Sequence, residues 1–126
     1  MSSTARTNRI LLLVSENGGS TSAQQGNTRR CTDLLSAKKV AYDTVDGADA
    51  EQKEVRDRLF GISGVRGNYP QMFVMVEGLM SKIEFLGSWE KIEEMNELND
   101  LPEEVLTKNP ELVTLDMVFK ECETLE

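Results

Sequence analysis

Tyr69-Pro70-Gln71-Met72-Phe73-Val74-Met75-Val76 is the stretch that decides how this chain is read. Pro70 is the only proline in the first hundred residues, and it stands directly before a run of apolar side chains. Proline has no N–H to give a strand ladder, so a strand tolerates it only at an edge, a bulge or its first position. In an X-Pro bond the cis form lies within about 0.5–1 kcal/mol of trans. The dipeptide therefore predicts a cis-proline turn that opens a central strand over residues 71–76.

Upstream, residues 9–15 are almost continuously apolar, as expected of a central strand covered on both faces. A helix follows over residues 22–37, with Cys31, Leu34 and Leu35 as its apolar side and Lys38-Lys39 as its end. Residues 40–46 read as a second strand ended by Gly47. Asp49 is placed to cap a second helix that carries Val55, Leu59 and Ile62, with Gly61 and Gly64 as stop signals.

Downstream of the proline, residues 71–76 and 81–86 predict an antiparallel hairpin around residues 77–80, with Ile83 and Phe85 on one face and Lys82 and Glu84 on the other. Ser88 is set to cap a third helix in which Trp89, Ile92, Met95 and Leu98 recur every three residues. The pattern divides the chain into residues 1–98 and an appendage, 99–126. In the appendage an acidic connector, 99–108, precedes a helix predicted from Pro110 to residue 123. That helix carries Leu112, Leu115, Val118, Phe119 and Cys122 on one side. Such a stripe must find a surface, and a floppy acidic spacer favours a partner protein over the chain's own domain.

Composition narrows the function. The net charge is −8, with 12 basic against 14 acidic groups over residues 1–98 and 2 against 8 over residues 99–126. That balance opposes phosphate contact and speaks against a nucleic-acid partner. The run from Ile10 to Val14 is too short to cross a bilayer, and residues 1–9 are too polar for a secretory signal; a mitochondrial presequence is the alternative. Two isolated cysteines, Cys31 and Cys122, fit a reducing, cytoplasmic setting. There is no histidine, which removes serine–histidine and cysteine–histidine mechanisms. The carboxylates Glu93, Glu94, Glu97, Asp100, Glu103 and Glu104 lack the spacing of a calcium loop and read as a solvated face.

The order β-α-β-α-β-β-α with proline at the third strand resembles the glutaredoxin branch of the thioredoxin fold over roughly residues 9–98. The resemblance implies an α/β, thioredoxin-like domain with a four-stranded mixed sheet ordered 2-1-3-4, followed here by a C-terminal helical extension. It also places Gln25-Gly26-Asn27-Thr28 about where glutaredoxins carry C-x-x-C, and neither cysteine is present. With Ser15-Glu16-Asn17-Gly18-Gly19-Ser20-Thr21-Ser22 ahead of that position and an acidic C-terminal end, the chain resembles the SH3-binding glutamic-acid-rich-like proteins, a family considered noncatalytic. The segment Gly67-Asn68-Tyr69-Pro70-Gln71 has no second proline, so the P-x-x-P core of an SH3 ligand is absent.

By position, the resemblance implies a glutathione groove built from Tyr69 and Pro70 with Gly87, Ser88 and Trp89. The local reading makes Ser88 a cap and Trp89 a core anchor. Residues 17–22 could cradle phosphate through backbone amides, but they lack G-x-G-x-x-G and read as a solvated loop. Cys31 reads as a small buried hydrophobe. The expectation is a noncatalytic adaptor without metal or resident cofactor. It would hold a partner through the groove or through Leu112, Leu115, Val118 and Phe119. The rivals are a glutathione-dependent reductase or transferase using Cys31 or Ser22, and a structural subunit docked through its C-terminal helix.

Overall fold

The computed structural model describes residues 7–15 and 21–125. Residues 1–6 of the segment read as a presequence, 1–9, and the serine–glycine stretch 16–20 lie outside the described residues. Among the described residues the elements run β1 (Arg9–Val14), α1 (Ser22–Ala37), β2 (Tyr42–Asp46), α2 (Lys53–Ser63), β3 (Gln71–Met75), β4 (Ile83–Ser88), α3 (Trp89–Glu97), α4 (Glu103–Lys108) and α5 (Leu115–Phe119). The four strands form one open α/β sheet in the order β2-β1-β3-β4. β1 is parallel to β2 and antiparallel to β3, and β3 and β4 form the predicted hairpin. The Tyr69–Pro70 bond is cis, as the sequence predicts.

Each face of the sheet is covered, which is why β1 and β3 are apolar without alternation. On one face Ile10, Leu12, Val14, Met72 and Val74 pack with Cys31 and Leu35 of α1 and Ile92 and Met95 of α3. On the other, Leu11, Leu13, Phe73 and Met75 pack with Leu59 and Phe60 of α2. Ile83 and Phe85 join this second face as expected, with the rings of Phe73 and Phe85 5.3 Å apart. Leu86 alternates with Phe85 and so lies on the first face beside Trp89; a register shift between Met72 and Phe73 leaves it without a partner in β3 and brings Gly87 opposite Met72.

Three local readings are corrected. Gly61 lies inside α2 rather than ending it; the helix stops at Gly64, whose N–H donates to the Phe60 carbonyl. The acidic connector contains a helix, α4, with Glu103 and Glu104 in its first turn and Lys108 in its last, charges that suit the helix dipole. The helix predicted from Pro110 to residue 123 is replaced by a turn at residues 109–112, a helix of only five residues, and an extended end. Thr114 Oγ1 accepts from the Met117 N–H and starts α5 there.

The extended end explains why the helix is short. Asn8 N–H donates to Glu121 O at 2.8 Å and Glu123 N–H to Asn8 O at 2.9 Å, while Ala41 N–H donates to Glu123 O and Leu125 N–H to Lys39 O. The last residues thus enter between the starts of β1 and β2, taking up backbone groups that a longer helix would leave unpaired. Leu115, Phe119 and Cys122 are buried in the same core as Ile10 and Ile92, and Val118 packs against it. Leu115 and Phe119, expected to be held for a partner, are therefore covered by the chain's own domain. Burial of such side chains is worth about 1.5–3 kcal/mol each, and the core surface lies next to them in the same chain. Lys38 pairs with Asp116 at 2.9 Å, and Arg9 bonds to both Asp43 and Glu123 at the same end.

Candidate functional site

The loop of residues 65–69, the start of α1 and the start of α3 meet at one end of the sheet, where β1 and β2 finish and β3 begins. The loop is clamped from below by Gln71. This fully buried side chain donates from Nε2 to Val65 O at 2.9 Å and to Asn68 O at 2.7 Å. Its Oε1 has no hydrogen-bond partner among the described residues. Pro70 is fully buried, which fixes the loop over the sheet.

The start of α1 is a capping box: Thr21 Oγ1 accepts from Gln24 N–H, and Gln24 Oε1 accepts from Thr21 N–H, both at 3.1 Å. Gln24 Nε2 then reaches across to Gly67 O and Asn68 Oδ1, each at 3.4 Å. Gln25, Gly26, Asn27 and Thr28, expected to occupy this place, lie further along α1, and the contact with the loop is made by Gln24. At the start of α3, Ser88 holds the N-cap position with extended backbone, but its hydroxyl makes no cap hydrogen bond. Instead Ser88 Oγ accepts from Asn68 Nδ2 at 3.2 Å. The capping role expected of Ser88 is thus corrected. The hydroxyl ties the loop to the helix, and among the described residues the first-turn N–H groups of α3 have no side-chain acceptor. Sequence reasoning missed Gln24 and Asn68. The capping-box spacing Thr21-x-x-Gln24 was the available signal for the first; nothing local marks the second.

The remaining predicted site residues divide. Gly87 is buried opposite Met72, and a side chain there would lie 2.6 Å from Lys91 Cβ and Cγ, so glycine lets α3 sit against the strand. Trp89 is half-buried and packs on the first core face, as its anchor reading implies. Tyr69 turns to the α2 face of the sheet. Its ring packs on Phe60 at 6.1 Å and over Gly47, where a Cβ would lie 2.7 Å from the phenol oxygen. Burial pushes its hydroxyl above the usual range, partly opposed by Arg56. Leu112 is half-buried, away from this end and beside α3.

Both thiols are enclosed. Cys31 is 1% exposed and burial pushes it up to about 12; Cys122 is 6% exposed and burial, aided by Glu121 and Glu123, pushes it up to about 11. Ser22 opens α1 at the surface, and among the described residues no base stands against its hydroxyl. No group of three or more Cys, Asp or Glu side chains among the described residues is gathered to hold a metal ion. No helix among them is long and apolar enough to cross a membrane. The arrangement of Gln24, Asn68 and Ser88 offers neutral donors and acceptors beside free helix N–H groups. It can bind polar or anionic groups but contains neither an acid–base pair nor a thiolate. Compared with known family models and with curated proteins, the chain matches none.

Proposed function

We propose that this chain is a noncatalytic binding module of thioredoxin-like, glutaredoxin-type fold that works in the cytoplasm and holds a protein partner at the loop-and-helix end of its sheet. The strand order, the cis bond before β3 and the helix that begins directly after β4 support the fold reading. The observation that carries the functional reading is the exclusion of both thiols from that end. Thiol exchange requires a thiolate with access to its target, and Cys31 and Cys122 are protonated core residues. Half-buried Gln24, Asn68 and Ser88 stand there instead. Free, buried cysteines also suit a reducing compartment.

The burial of Leu115 and Phe119 in the chain's own core weighs against docking through the C-terminal helix. The burial of Tyr69 and Pro70 weighs against an SH3 domain as the partner. Glutathione is the small-molecule probe for the groove, because uncapped N–H groups at the start of α3 suit a carboxylate. Two assays on the full chain test the reading. Glutathione-coupled reduction of a mixed disulfide should run at the uncatalysed rate; a rate that the chain accelerates and that Cys31→Ser abolishes would overturn it. Titration with glutathione, followed by the fluorescence of Trp89, the single tryptophan, reports separately whether the groove takes this ligand.

A further inference from the structure

Among the described residues β4 is paired on one side only, by β3, so its outer edge presents backbone N–H and C=O groups to solvent. A cavity of about 340 Å³ adjoins this strand. Leu86 of β4, Met95 and Leu98 line it on one side and Leu112 and Val113 on the other. A space of that size and lining suits aliphatic side chains rather than a single water. Val113 is 46% exposed at its mouth.

Charge identifies what would cover it. Residues 83–113, from which the edge strand and the whole cavity lining are drawn, hold nine carboxylates against only Lys91 and Lys108, and of the charged residues on the cavity lining itself Glu94 and Glu111 are acidic and Lys91 basic. Lys91 is already engaged with Glu94 at 3.9 Å, and Glu111 at the rim has no ion-pair partner among the described residues. A second copy of the same acidic surface would be repelled, whereas a cationic segment would be drawn to it.

We propose that the β4 edge and this cavity take an extended segment of a partner protein that carries, on one strand face, two apolar side chains flanked by lysine or arginine. The segment adds a fifth strand to β4. Its apolar side chains enter the cavity between α3 and residues 111–113, and its flanking cations meet the surrounding carboxylates. Side chains two apart share one face of a strand, which sets the required spacing. The surface borders the loop-and-helix end at Lys91 but is built from other residues, so it goes beyond the reading above and stands or falls without it.

The test is titration of the isotope-labelled full chain with the capped heptapeptide Lys-Ser-Leu-Thr-Leu-Ser-Lys, read by amide chemical shifts. Saturable shifts at residues 84–86 and 112–113 are expected. Replacing both peptide lysines with glutamate, both leucines with serine, or methylating alternate backbone nitrogens should each weaken binding by about tenfold or more. Equal binding of the serine peptide would reduce the effect to charge attraction and overturn the proposal. Shifts confined to residues 24, 68 and 88 would move the ligand to the other site and overturn it as well. Absence of saturable shifts, with concentration-dependent self-association mapped to the same residues, would assign the edge to a second copy and also overturn it.

Discussion

The two ends of the sheet are finished in opposite ways. Where β1 and β2 begin, the chain's last residues enter between the strands, and Leu115, Phe119 and Cys122 fill the core beneath. Where β1 and β2 end, polar side chains from three separate elements hold one another: Gln24 on Asn68, Asn68 on Ser88, and Gln71 under the loop. Backbone pairing and apolar burial close the first end to other molecules. Hydrogen bonds among half-buried side chains, above the buried Gln71, hold the second in shape without backbone pairing across it. The difference separates a structural terminus from a surface that can receive a ligand.

The largest effect should come from the closed end. Leu115→Ala removes a fully buried side chain from the core shared by β1 and α3 and should cost about 2–5 kcal/mol in chemical denaturation. A detachable arm would lose almost nothing on the same change, so an unaltered denaturation midpoint would erase the contrast between the ends. A smaller loss is expected from Gln71→Met. That substitution keeps the volume but leaves Val65 O and Asn68 O without their shared donor, a cost of about 1–3 kcal/mol. The loop resonances of residues 65–69 should broaden or shift while those of residues 121–125 stay in place. Movement at both ends would mean that they are not independent.

The smallest effect concerns the ion pairs that fasten the closed end. The Arg9 guanidinium, hydrogen-bonded to Asp43, holds that carboxyl below its ordinary 3.8 against the opposing effect of burial. The folded chain therefore binds this proton less readily than the unfolded one. The stabilisation is fully present above about pH 4 and is lost as pH falls through the lower folded-state value. Asp43 is half exposed, so solvent screening limits the pair to about 0.2–1 kcal/mol. Asp43→Asn should lower stability by that amount at neutral pH, and the difference should shrink as the pH falls below about 4. A difference that persists in acid would assign the loss to packing instead.

The open end was partly legible in the sequence and the closed end was not. Pro70 announced both the cis bond and the strand it opens, because proline leaves few places for itself in a sheet. Trp89, Ile92 and Met95 likewise marked α3 by spacing alone. The contact of Asn68 with Ser88 joins residues 20 apart through side chains that any loop could carry, so no local pattern encodes it. The extended end was hidden for a different reason. Its four hydrogen bonds to Asn8, Lys39 and Ala41 run through the backbone, which every residue possesses, and Pro110 gave a helix-start signal that the competing pairing overrides. The bulge at Leu86 left no local mark either, because it exists only in the pairing of β4 with β3.

Amide hydrogen exchange on the full chain tests the central contrast most directly. The N–H groups of Asn8, Ala41, Glu123 and Leu125 should exchange as slowly as neighbouring sheet amides, because they are paired at the closed end. Those of Glu90 and Lys91, in the uncapped first turn of α3, should exchange much faster and slow only when a ligand occupies the loop-and-helix end. Rapid exchange at Ala41, Glu123 and Leu125, with protection at Glu90 and Lys91 in the free chain, would contradict the account: the tail would then be the free arm and the groove the sealed end.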